Sequence, residues 1–293
     1  MIARLAVLLL GVVAGFPAAF ADTGERSVLW AVRGQHNTVY LLGSIHVLRP
    51  GDGELPRVAL EAYADAEQLV MEIDLDDPHV AGPASLLGTM QRAALLPEGE
   101  SLRSALGDDY AAIASRAREA GLDLAVLDRF APWFVATMLL QLELAQRGFR
   151  PELGIEQQLA DRAVRDGKPI EGLETAEQQF ALLAGLPLAE QKRFLMMSLA
   201  ESERLDAEIE DLLAAWRAGD VEALEEMLSA AFEEFPELYG PLTEVRNRAW
   251  VERLDDLLDE RDDYLVVVGA LHLVGPDSVV DLLRQRGYTV TQQ

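Results

Sequence analysis

The sequence predicts an α/β fold: a mixed, largely parallel sheet formed by both ends of the chain, with a mainly helical middle insertion. Three observations predict it. Apolar, strand-like runs cluster at the two ends, at residues 27–33, 38–42, 69–73, 264–268 and 288–291. A helix-length segment separates the runs at 38–42 and 69–73, the spacing of a strand–helix–strand unit whose strands lie parallel. Residues from about 84 to 260 read mainly as helices.

The chain opens with Arg4, an apolar run over residues 5–16, Pro17 and the small-x-small site Ala19-Phe20-Ala21. That is the layout of a secretory signal peptide over residues 1–21, cleaved after Ala21. The run is short of the roughly 20 residues a spanning helix needs, so no stable membrane anchor is expected after cleavage. The expected location is periplasmic or secreted. Residues 22–293 are then one domain, with the helical insertion at about 84–260.

Val28, Trp30 and Val32 alternate with polar or small residues, and a turn at residues 34–37 leads into the run at 38–42. This reads as a hairpin at a sheet edge, with His36 a solvated turn residue. Pro56 opens a helix to about residue 68, and residues 69–73 form the next strand, apolar except for Glu72. Residues 130–144 are the most apolar stretch after the signal, but Pro132 opens it and Glu143 interrupts it. A buried helix fits better than a membrane span. Residues 157–165 are helical, and 168–173 can form a short strand ending at Glu174. Leu205, Ile209, Leu212, Leu213 and Trp216 define one apolar helix face. A strand at 264–268, a helix at 276–286 closed by Gly287 and a last strand at 288–291 complete the chain.

Composition narrows the chemistry. There is no cysteine, so neither thiol catalysis nor thiolate ligation is available, and any metal must sit on His, Asp or Glu. Fifty acidic residues face 25 basic ones, a net charge of −25, and no helix carries a basic stripe. Nucleic acid is excluded as a partner on that ground, and so is an electrostatic hold on anionic lipid.

Two segments echo each other. Leu41-Leu42-Gly43-Ser44-Ile45-His46-Val47-Leu48 matches Val267-Val268-Gly269-Ala270-Leu271-His272-Leu273-Val274. Each is an apolar strand, then Gly, small, aliphatic, His. Gly43 and Gly269 permit a sharp turn and leave room for a substrate near the backbone. Each His is delivered just past the carboxyl end of a strand, the edge where open parallel sheets bind ligands. Glu72, a charge on an apolar strand, needs a partner and reaches the same edge if the strands are parallel. Two imidazoles and a carboxylate make a hydrolytic metal set: His46, His272 and Glu72 around a divalent ion (Mn, Co or Zn). The spacing alone equally allows two satisfied structural histidines. His79 sits in a Pro-flanked acidic loop and is set aside.

The paired Gly-x-x-His motifs resemble the TraB/GumN family and, more distantly, the Tiki proteins and erythromycin-esterase-like hydrolases. The likeness extends to the acidic strand at residues 70–74, Gly172-Leu173-Glu174-Thr175, Arg246-Asn247-Arg248-Ala249-Trp250 and the closing segment from Val268 to Val290. The resemblance implies a metal-dependent hydrolase, peptidase-like, acting on a small peptide or other acyl substrate. It carries Glu72 as ligand or general base, Glu174 as reserve general base, Arg246 on a substrate carboxylate or oxyanion, and Asn247 in substrate binding. A metal-independent esterase-like hydrolase, with one His as base and Glu72 orienting it, is the first alternative. A peptide- or signal-binding protein without turnover is the second.

Overall fold

The computed structural model describes residues 27–75, 77, 83–200, 205–234 and 236–293. The expected signal peptide, its cleavage point after Ala21, and His79 lie outside the described residues. Six strands form one sheet: β1 (Leu29–Arg33), β2 (Thr38–Ser44), β3 (Gln68–Ile73), β4 (Ile170–Glu174), β5 (Tyr264–Gly269) and β6 (Val290–Gln292). Their order across the sheet is β4-β3-β5-β2-β1-β6. Strands β4, β3, β5 and β2 run parallel, and β1 is antiparallel to both of its neighbours. The sheet is therefore mixed, mostly parallel and fed by both ends of the chain.

The inner strands are apolar runs because both faces are covered. Every residue of β5 is buried, as is every residue of β2 except Tyr40. Register pairs Ser44 with Gly269 and Ile73 with Glu174. The four parallel strands thus finish along one edge, and the residues that follow them share one neighbourhood.

Two elements differ from the sequence expectation. The β1–β2 hairpin is not an edge, because β6 pairs outside β1 through Trp30↔Gln292 and Val32↔Val290. No local signal in a hairpin reveals that the chain's far end returns to cover it. The short strand expected at residues 168–173 forms as β4 and joins the sheet at its outer edge beside β3. The last helix begins at Val279 rather than 276. Asp277 takes φ 54°, and Ser278 Oγ accepts the N–H of Asp281 as an N-cap.

The helices behave as their periodicity requires. Pro132–Gln146 is apolar on all sides and lies in the core. Among the described residues no helix is long and apolar enough to cross a membrane. In Leu205–Ala218 the predicted face is buried, and Trp216 Nε1 donates to Gly43 O at 2.7 Å, locking this helix under the end of β2. Helix Ile155–Asp166 abuts the loop after β2 from the other side: Ile155 N donates to Ile45 O at 3.0 Å.

Two glycines permit this packing. A Cβ on Gly43 falls 2.4 Å from Val28 Cγ1 and 3.0 Å from Ala270 Cα, so the two Gly-x-x-His turns touch only because the side chain is absent. A Cβ on Gly154 falls 2.2 Å from His46 O, a backbone atom that cannot swing aside. Gly154→Ala is therefore expected to cost about 1–3 kcal/mol in urea denaturation. Gly53→Ala, which meets only the side chains of Leu48 and Gln158, should cost less. Equal stability of Gly154→Ala and wild type would remove the contact between this helix and the His46 loop.

Candidate active site

The edge where the parallel strands end carries a buried cluster of charge. Glu72 is the penultimate residue of β3 and Glu174 the last of β4. His272 ends the 3-10 turn Ala270–His272 directly after β5, and His46 lies two residues past β2. Arg246 and Asn247 come from the first turn of helix Val245–Asp259. The π-helical turn Gly240–Glu244 runs into that helix, a local widening that is frequent at functional sites.

Arg246 is the hub. Its Nε donates to Glu174 at 3.0 and 3.2 Å. Nη2 donates to Glu72 Oε2 at 2.6 Å and to Glu174 Oε1. Nη1 donates to Leu242 O at 3.3 Å and meets His272 Nε2 at 3.0 Å. A guanidinium has five N–H groups, and these contacts use all five. The Arg246 plane also lies over Trp250, 4.5 Å from the ring centroid, and Trp250 packs on His272 at 4.6 Å. Glu72 is completed by Gly269 N–H at 2.7 Å and Gln179 Nε2 at 3.1 Å, and Gln179 also reaches Glu174 at 3.2 Å.

This network fixes the state of His272. Asn247 Nδ2 donates to Asp277 O at 2.9 Å, so Asn247 Oδ1 faces His272 Nδ1 at 2.7 Å. An amide oxygen can only accept, so Nδ1 carries the proton and Nε2 accepts from Arg246. Burial and the Arg246 charge push the His272 pKa down to about 3, and the ring is neutral. Burial alone would raise Glu72, but Arg246 together with His272, His46 and the Gly269 N–H outweighs it and holds the carboxyl at about 2. Burial and the Glu72 carboxylate raise Glu174 against the pull of Arg246.

His46 has the same motif and a different environment. Its Nδ1 contacts Glu156 Oε1 at 2.5 Å, and Ser44 Oγ donates to that same oxygen. Glu156 sits in the first turn of helix Ile155–Asp166, where the helix dipole favours an anion. Burial pulls the His46 pKa down, but Glu156 and then Glu72 outweigh it and the net shift is upward. His46 Nε2 is buried and has no partner.

The sheet edge thus gathers His46, Glu72, Glu174, Arg246, Asn247 and His272, and the two imidazoles lie within electrostatic range of each other and of Glu72. Gly43 and Gly269 take part through their backbones: Gly43 O receives Trp216 and Gly269 N–H holds Glu72. His36 is exposed in its turn. The donors expected for a metal do not converge. Both His272 nitrogens are engaged, both Glu72 oxygens are engaged, and a cation already lies between them. Among the described residues no three His, Asp or Glu side chains are grouped to hold a metal ion. The residues in this arrangement do not fit the His46–Glu72–His272 metal set. Arg246 and Asn247, expected to reach substrate, are committed within the protein. Glu156 was not singled out in the sequence. An acid in the first turn of a helix is ordinarily solvated, and only the buried neighbours Ser44 and His46 make it otherwise.

These features define a class: an α/β protein with a buried histidine–carboxylate–guanidinium cluster at the carboxyl edge of its sheet. The TraB/PrgY/gumN family model matches residues 28–292, and the chain belongs to that family. It is 27% identical to the uncharacterised protein YbaP of Escherichia coli, over 87% of this chain and 97% of that protein. It is 27% identical to metalloprotease TIKI2 of Xenopus tropicalis, over 94% of this chain and 61% of that protein. Against human metalloprotease TIKI1 the identity is 25%, over 90% of this chain and 61% of that protein. No solved structure matches significantly.

Two predictions follow from the cluster. Arg246 is 4% exposed and its removal strands Glu72, so Arg246→Met is expected to cost about 3–5 kcal/mol. Arg253→Met breaks the partly exposed pair with Glu171 and should cost about 0–1 kcal/mol. Comparable losses in urea denaturation would deny the hub its role.

The second concerns pH. The folded pKa of His272 lies below the unfolded value of 6.5, so the unfolded chain binds the extra proton between 6.5 and about 3. Its neutrality therefore supports stability near neutral pH, and that support is lost as pH falls through this window. Glu72 acts in the same direction between 4.5 and about 2. His46, with its raised pKa, acts oppositely: its contribution is full below 6.5 and fades as pH rises through the folded value. The loss of unfolding free energy from pH 6.5 to 4 should be smaller in His272→Gln than in wild type. Identical losses would mean that His272 is not held neutral.

Proposed function

We propose that this protein is an exported hydrolase acting on a peptide or other acyl substrate, with His46 as its reactive group. One observation carries the reading: His46 Nε2 is a buried nitrogen without a partner, while Nδ1 is fixed by Glu156. In the neutral ring, with the Nδ1 proton held on Glu156, the Nε2 lone pair has no protein hydrogen-bond partner. It takes a proton from a water, that water attacks the carbonyl carbon, and the imidazolium returns the proton to the leaving nitrogen or oxygen. Glu156 steadies the imidazolium while it exists. The surrounding network supplies rigidity, and the low exposure of His46 keeps bulk water from the base. The metalloprotease relatives support acyl-bond chemistry. The expected cleavage after Ala21 supports action in the periplasm or outside the cell.

A second reading is favoured by the same relatives' names. A carboxylate behind a histidine also occurs where the other ring nitrogen binds a divalent ion such as Mn, Co or Zn. His46 Nε2 has no protein partner to give up, whereas His272 and Glu72 are engaged while Arg246 holds them.

The test uses the chain from Asp22, purified without a metal-affinity tag, on a panel of reporter peptides and p-nitrophenyl esters. His46→Gln is expected to lower kcat/KM by roughly 10²–10⁴-fold with the fold retained. Glu156→Ala should lose most activity, and Glu156→Asp should keep more. Undiminished hydrolysis by His46→Gln would sink the reading. Activity lost to a chelator and restored by Mn²⁺ or Co²⁺ would favour the metal alternative. Stoichiometric binding without turnover would make the protein a binding module.

A further inference from the structure

The sheet has two outer strands, and they end differently. β6 is three residues long, and its Gln292 side chain donates to Ser27 O and Gly219 O, both at 3.0 Å. β4 is five residues long, half-buried throughout, and among the described residues it pairs with β3 alone. Leu69 N donates to Pro169 O at 2.9 Å, and Leu69 is in register with Ile170. In a parallel ladder that parity turns the backbone groups of Glu171 and Leu173 toward β3, and those of Ile170, Gly172 and Glu174 outward. Among the described residues no hydrogen bond occupies the N–H or C=O of Ile170 or Gly172. Edge strands are ordinarily guarded by outward charges. Here the charged side chains are turned to other partners. Lys168 donates to Tyr63 O at 2.8 Å and to Ala66 O, and lies over the Tyr63 ring. Glu171 is held by Arg253 at 2.7 and 2.9 Å. Position 172 is bare, because a Cβ there falls 2.6 Å from Asp74 N.

We propose that β4 receives an extended, cationic peptide as an added strand, and that this strand holds the substrate whose bond is presented to His46. The inference rests on the peptide reading of the substrate and names how that peptide is bound. Outward N–H and C=O groups on alternate residues are what an added strand pairs with, whatever its side chains. Charge then selects the peptide. The chain carries a net charge of −25, and β4 itself holds two glutamates and no basic residue. That field attracts a cationic peptide and repels a second copy of the same chain. Position completes the argument. β4 ends in Glu174 at the sheet edge where β2 delivers His46. Neighbouring strands lie about 4.8 Å apart, so an added strand runs about 19 Å from β2, a span of roughly six extended residues. One peptide therefore pairs with β4 and crosses the strand ends to His46 without any movement of the Arg246 network.

The probe is a fluorescent peptide of about twelve residues alternating Lys and Thr, long enough to cover β4 and reach His46. It is added to the tag-free His46→Gln chain from Asp22, so that anisotropy reads binding without turnover. The peptide is expected to bind, to weaken as salt is added, and to slow hydrogen exchange at the amides of Ile170, Gly172 and Glu174. N-methylation of its central residues should abolish binding, and an alternating Glu and Thr peptide should not bind. Ile170→Pro removes an outward N–H and spares the ladder to β3, so it is expected to weaken binding by about tenfold. Absence of binding overturns the proposal, as does binding that leaves these amides unprotected or survives N-methylation. A dimer in sedimentation that dissociates in Ile170→Pro makes a second copy the occupant and also overturns it. Should Ile170→Pro fail to fold, amide protection in the His46→Gln chain decides the question by itself. Turnover of short reporter peptides without protection at β4 defeats this inference and leaves the hydrolase reading. Protection at β4 without turnover of any peptide does the reverse.

Discussion

The Arg246 guanidinium is the constraint on which the sheet edge depends. Glu72 sits on an inner strand flanked by β4 and β5, where an isolated carboxylate would neutralise itself or refuse burial. It remains ionised because Arg246 lies against it. The guanidinium in turn is buried only because Glu72, Glu174, Leu242 O and His272 accept every N–H it has. One cation thereby ties β3, β4, the turn after β5 and helix Val245–Asp259 to one point. A buried ion pair of this kind is poor value as bulk stabilisation, since desolvation offsets much of the attraction. Its effect is geometric: hydrophobic side chains of similar volume would fill the space without dictating where each strand ends.

The same constraint explains why two matching motifs do different things. Gly-x-x-His after β2 and after β5 places both imidazoles at neighbouring strand ends, in register through Ser44↔Gly269. The partners then diverge. His272 faces a cation and an amide, so it is neutral, saturated and positioned as a structural acceptor. His46 faces an anion at a helix N-terminus, so its protonated form is favoured and its second nitrogen is left without a partner. The local backbone is repeated, but the side chains brought from residues 156 and 246–247 are not. A motif specifies where a side chain is delivered, and its chemistry is set by what arrives from elsewhere in the chain.

That division also describes what could be read from the sequence. The parallel core was legible because strands buried on both faces become uninterrupted apolar runs, as in residues 264–268. The shared sheet edge was legible because Gly-x-x-His follows two such runs. The acid on β3 stood out because Glu72 alone breaks its run. Long-range returns were not legible. β6 covering β1 involves residues about as far apart as the chain allows, and neither strand carries a mark of the other. Glu156 was hidden for a related reason. A glutamate in the first turn of a helix is favourable by itself, so its sequence context is satisfied before Ser44 and His46 are considered. Arg246 was visible only through family likeness, and there it was read as a group awaiting substrate. Its five internal acceptors come from four separate segments, and no sequence window contains them.

The consequence for function is an asymmetry in what can move. Every polar group of the Arg246 network is matched, so displacing any one of its members exposes at least one other buried charge or donor. Such a network resists partial opening and favours either full retention or collective rearrangement. His46 bears no such obligation on its Nε2 side. Its anchor is the single Glu156 oxygen shared with Ser44, and the glycine at 154 lets the helix bring that oxygen close without burying a side chain in between. A ligand approaching Nε2 therefore displaces no protein hydrogen bond, whereas one approaching His272 must first break Arg246 away. His46 Nε2 is thus the imidazole nitrogen at this edge that holds no protein hydrogen bond, while the guanidinium cluster near it is fully matched.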